Sequence, residues 1–118
     1  MQKDKRVVFV YVTLNTVEEG QRLARLLIER QLTNCVNLHP ITCTYVWEGK
    51  VTTEPEVVAL IKTRAEHFDA IAAAVRDTVP YTNFVGQLEV TRVNEAFAAW
   101  LDSVVRSEAS AAHREGQA

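Results

Sequence analysis

Among the side chains able to do chemistry in this sequence, Cys35 and His39 stand out, four residues apart in a stretch that reads as a β-strand. On a regular strand, positions 35, 37 and 39 share one face, so the thiol and the imidazole point to the same side. Both are donors of the kind that hold copper or zinc, and together they make half a site that further donors from a neighbouring subunit would complete. The competing reading is a small buried thiol beside a surface imidazole, because free cysteine is among the most buried residue types. A Cys35 nucleophile with His39 as its base has no orienting third group in view, so no catalytic residue is assigned and the chain reads as a non-enzyme.

Two further candidates lie downstream. The segment from Val79 to Gly86 joins a helix to a strand, and its polar content is Tyr81, Thr82 and Asn83. Those groups suit hydrogen bonding to a neutral small molecule better than they suit a metal, and loops on a rigid scaffold are where binding groups tend to sit. Trp47, at the end of a long predicted hairpin, is assigned to a subunit interface, where large aromatics are often buried. His67 reads as an exposed residue at a helix start, and His113 falls in the C-terminal tail.

The totals exclude several classes. At 118 residues the chain has room for one core. A net charge of -2 gives no field to recruit nucleic acid or an anionic membrane. The apolar stretch after the first six residues is too short for a membrane span and lacks a cleavage site, so a soluble, cytoplasmic protein is expected. Glycine occurs at 20, 49, 86 and 116 and serine at 103, 107 and 110, which leaves no phosphate-cradling loop and no placed serine nucleophile. Two cysteines are too few for a disulfide framework.

The elements that must position these residues follow from periodicity. Residues 6–14 (RVVFVYVTL) are apolar at successive positions, as in a strand buried on both faces. Thr16 and Glu19 form a capping box ahead of a helix over 17–31, whose apolar face is Gly20, Leu23, Ala24, Leu27 and Ile28. A second strand from Asn34 is expected to break or bend at Pro40 and resume to Trp47. Glu48-Gly49 turns the chain into a third strand, apolar on both faces near residues 57–61. A second helix over 65–78 carries Phe68, Ile71, Ala72 and Val75 on one stripe. A strand over 86–93 alternates with one wet face, and a last helix opened by Asn94 carries Phe97, Trp100, Leu101 and Val104.

Two βαβ halves joined by a hairpin make the split βαβ, ferredoxin-like α+β sandwich, with an extra C-terminal helix and sheet order 4-1-3-2. Residues 1–106 are read as a single domain and 107–118 as a polar tail. Both crossover helices then lie on one side of the sheet. The other side, apolar on its central strands, needs a cover, and the simplest is another copy of the chain.

The motifs Cys35-Val36-Asn37, Tyr45-Val46-Trp47-Glu48-Gly49-Lys50, Ile61-Lys62-Thr63-Arg64, Pro80-Tyr81 and Ala99-Trp100-Leu101 stand in an order and spacing that resembles the CutA proteins of divalent-cation tolerance, over roughly residues 7–105. The resemblance implies a tight cytoplasmic homotrimer with a role in copper tolerance. The fold is also similar to that of the trimeric PII signalling proteins, which bind effectors in clefts between subunits, and the alternative expectation is a small-metabolite sensor using Tyr81, Thr82 and Asn83. Where the family reads His-Pro-Tyr-Glu-x-Pro-Glu, this chain has Val79-Pro80-Tyr81-Thr82-Asn83-Phe84-Val85, without the imidazole and both carboxylates. Of the family's ligand positions only Cys35 is matched, and His39 stands where the family is usually aliphatic.

Overall fold

The computed structural model describes residues 4–105. The chain runs β1 (Val7–Leu14), α1 (Val17–Glu29), β2 (Cys35–Trp47), β3 (Lys50–Arg64), a 3-10 turn (Ala65–His67), α2 (Phe68–Thr78), β4 (Val85–Glu89) and α3 (Glu95–Val104). The four strands form one antiparallel sheet in the order β2-β3-β1-β4, which is the order predicted from the sequence. The C-terminal tail lies outside the described residues.

Register assigns the faces, because residues directly opposite in an antiparallel ladder project to the same side. Val8, Val10, Val12 and Leu14 of β1 oppose Thr63, Ile61, Ala59 and Val57 of β3, and all eight are buried. This face packs under α1 through Leu23 and Leu27 and under α2 through Ile71, Ala74 and Val75. Gly20 brings α1 close to β2, since a Cβ there would stand 2.9 Å from the Leu38 side chain. The other face carries Phe9, Tyr11 and Thr13 from β1, Leu60 and Lys62 from β3, and Cys35, Asn37 and His39 from β2. One end of it lies under α3, where Leu101 is fully buried and Asp102 pairs with Arg64.

Several local expectations change. Pro40 does not break β2, whose pairing to β3 continues in register from Cys35 to Trp47. As an edge strand, β2 has one side free of partners, and a residue without an N–H is tolerated there. Helix α1 stops at Glu29 in a Schellman closure. Gln31 takes φ 60°, its N–H reaches the Ile28 carbonyl, and the Leu32 N–H reaches that of Leu27. Ile28, expected on the buried face, is 41% exposed. Residues 65–67 form the 3-10 turn rather than the first turn of α2, and this turns His67 inward. His67 is 3% exposed, with Nε2 3.6 Å from Glu66 Oε1, so it is not the surface residue that its helix position suggested. Strand β4 ends at Glu89, and its Leu88 faces the side away from α1 and α2, 48% exposed.

Candidate functional site

Glu48 and Gly49 both have positive φ, 50° and 77°, as a two-residue type I′ hairpin turn requires. That turn fixes the β2–β3 register, and the register places Cys43, Tyr45 and Trp47 on one face with Glu54 and Glu56. Beyond Val57 β3 has no β1 partner, so the two arms project from the body as a two-stranded ribbon. Opposite its inner face is the loop from Pro80 to Phe84, and between them lies a cleft of about 700 Å³. Its walls include Thr13 and Asn15, Cys43, Glu54 and Glu56 of the hairpin, and Tyr81 with Thr82 and Asn83. Among the described residues the lining contains two carboxylates and no Lys or Arg.

The loop is tied down by its own polar groups. One oxygen of Glu19, Oε1, accepts from the Asn15 N–H at 2.9 Å, the Thr16 N–H at 3.2 Å and the Tyr81 hydroxyl at 2.7 Å. The capping box that opens α1 therefore also anchors the loop. The Tyr81 oxygen in turn accepts from the Asn15 N–H, and Asn83 Nδ2 donates to the Thr13 carbonyl at 2.7 Å. Partial burial and then the Glu19 carboxylate push the Tyr81 phenol up to about 12, so it remains a donor at neutral pH. Of the three predicted loop residues, Thr82 is the one with no side-chain hydrogen bond among the described residues.

The thiols differ in setting. Cys43 is pushed up, first by burial and then by the carboxylates of Glu56 and Glu54, which holds it as a thiol rather than a thiolate. Glu54 accepts from the Tyr45 hydroxyl at 2.9 Å, and that bond raises the phenol's pKa. Cys35 faces Lys62, whose Nζ lies 3.3 Å from Sγ and 3.1 Å from Asn37 Oδ1.

Cys35 and His39 share a face, as predicted, but are not brought together. At the rise of an extended strand they stand about 13 Å apart, with Asn37 between them. No Cys–His pair for catalysis forms. Among the described residues no three His, Cys, Asp or Glu side chains are grouped to hold a metal ion. Among the described residues of one chain the donor set does not fit a copper or zinc centre. Trp47 lies 61% exposed at the hairpin end beside Val46 (71%), with Val51 (78%) on the facing strand. Cys43, Glu54 and Glu56 were missed as cleft residues; alternation counted outward from the Glu48-Gly49 turn was the signal available for them.

The sequence model of the CutA1 divalent ion tolerance protein matches residues 8–104. The divalent-cation tolerance protein CutA of Archaeoglobus fulgidus is 34% identical over 98 residues, 82% of this chain and 96% of its own length. A crystal structure from that organism, described as the periplasmic divalent cation tolerance protein CutA, superposes with a TM-score of 0.81 at 33% identity, covering 85% of this chain and 99% of the other. CutA1 from Oryza sativa superposes with a TM-score of 0.83 at 35% identity, over 91% of this chain and all of the other. With the ferredoxin-like sheet, both crossover helices and the hairpin in common, the chain belongs to the CutA1 divalent ion tolerance family.

Proposed function

We propose that this protein acts in divalent-cation tolerance, copper above all, as a non-catalytic homotrimer in the cytoplasm. The observation that carries the reading is the family match over residues 8–104. The trimer is supported by what one chain leaves uncovered. Among the described residues the hairpin arms have no helix over them, and a lone two-stranded ribbon is marginally stable in water. Trp47, Phe84 and Leu88 are exposed apolar groups on or near the side that lacks α1 and α2, and Val46 and Val51 add exposed apolar surface on the opposite face of the hairpin. Trp47 is the residue assigned to the subunit contact. Sedimentation velocity on the 13.3 kDa chain tests it; a folded monomer at micromolar concentration sinks the trimer.

Copper or zinc is bound weakly in this reading, Cys35 and His39 each giving one donor to a separate site completed by a neighbouring copy. Titration of copper into the wild type, Cys35→Ala and His39→Ala tests this part. Loss of bound metal in either variant supports it, and three superimposable curves remove metal binding through these residues.

A metabolite-sensing role has its own support in the cleft at Tyr81, Thr82 and Asn83, which is large enough for a small molecule. Its carboxylates and aromatic rings favour a ligand with a positive or hydrogen-bonding group. A thermal-shift screen of metabolites without any stabilisation counts against that second reading.

A further inference from the structure

A second cavity, of about 290 Å³, lies between α3 and the sheet, away from the hairpin cleft. Its apolar walls include Phe9, Val93 and Phe97, and its polar groups are Lys62, Arg92 and Asn94. Among the described residues no carboxylate lines it, and Glu95 in the first turn of α3 is not among its walls. Each of the three polar groups has unused capacity. Lys62 has three N–H donors, of which Cys35 and Asn37 take two, while its Nζ sits 5.7 Å from the Phe97 ring centroid. The Arg92 guanidinium has no hydrogen bond or ion pair among the described residues. Asn94 stands at the N-cap of α3, yet its side chain makes no capping bond.

We propose that this cavity binds a small monocarboxylate with an apolar body. Arg92 takes the carboxylate through its planar fork, with Lys62 and Asn94 as further donors, and the body lies between Phe9 and Phe97. Two cations without an acid select an anion, and a carboxylate matches the geometry of a guanidinium. Mostly aromatic and aliphatic walls select an apolar remainder. The volume falls at the small end of the ~300–1,000 Å³ usual for ligand pockets, which limits the body to about one ring or a short chain.

Phenylacetate and its neutral isostere phenylacetamide, titrated into the intact protein, test the proposal by calorimetry and by the fluorescence of Trp100, whose ring packs edge-on against Phe97. Saturable binding of phenylacetate is expected, with phenylacetamide at least tenfold weaker. Arg92→Gln, at an exposed position without hydrogen-bond or ion-pair partners among the described residues, is expected to weaken phenylacetate at least tenfold with an unchanged circular dichroism spectrum. Equal binding of acid and amide, an unaltered affinity in Arg92→Gln, or absence of saturation overturns it. Displacement of phenylacetate by equimolar inorganic phosphate overturns the apolar-body half of the claim.

Discussion

Strand β3 belongs to two different environments along its own length. Residues Val57 to Lys62 lie between β2 and β1, and their inward side chains sit under α1 and α2. Among the described residues, Lys50 to Glu56 have one neighbouring strand and no helix above them. The first half is closed by its own chain. The second is held by a type I′ turn, ladder hydrogen bonds and side-chain pairs such as Thr44 with Thr53 and Tyr45 with Glu54. The difference separates what folds the protein from what it has left to offer a partner. The radius of gyration, 15.6 Å, exceeds the roughly 13.5 Å of a compact domain this long, as a projecting ribbon requires.

The largest effects belong to the closed half. Leu23→Ala removes a fully buried side chain of α1 and is expected to cost about 2–5 kcal/mol, read as a lower midpoint in denaturant melts. A cost below about 1 kcal/mol would mean that the helix layer is not the main core. The open half should respond in association instead. Trp47→Glu is expected to leave the circular dichroism spectrum intact while shifting sedimentation from trimer to monomer, because an uncompensated charge in an apolar contact costs several times what the exposed side chain gives its own fold. If Trp47→Glu unfolded the chain, the two halves would not be separable in this way.

The same division explains what was legible in the sequence. The central strands announced themselves, since Val7 to Leu14 are apolar at successive positions, and the Glu48-Gly49 turn and the Thr16–Glu19 box each depend on a few adjacent residues. Features set by tertiary packing were not readable. Pro40 breaks strands in general and is harmless here because β2 lies at the sheet edge. His67 is buried because a 3-10 turn, not an α-turn, leads into α2. Cys35 and His39 were placed correctly on one face, but alternation gives a side and not a separation, so a strand that looked like half a metal site carries two donors too far apart to share an ion.

The loop against the hairpin cleft offers a finer test, because one carboxylate oxygen of Glu19 holds both Tyr81 of the loop and the start of α1, beside the bonds of Asn83 and Phe84 to Thr13. Tyr81→Phe removes the donor to Glu19 and is expected to cost about 1 kcal/mol, with Glu19→Ala costing more since it removes the acceptor that also serves two backbone N–H groups of the helix start. If the two variants proved equal in thermal melts, the capping bonds would be contributing nothing beyond the tether.

The smallest effect is a matter of pH. A phenol ordinarily titrates near 10, and Tyr81 is pushed up to about 12 by burial and by Glu19. Between those values the unfolded chain has released this proton and the folded one still holds it. Unfolding is therefore favoured by rising pH across that window, and the Tyr81 contribution, fully present below pH ~10, is lost as pH climbs toward ~12. The partly exposed position keeps the slope shallow. Tyr45 is also raised by its bond to Glu54, so absorbance at the tyrosinate band should show one fewer late-titrating phenol in Tyr81→Phe than in the wild type, and the variant's melting temperature should fall less steeply above pH ~10. Parallel slopes in both proteins would place the late proton elsewhere and would leave the loop's tether to Glu19 without a measurable share in the stability of the fold.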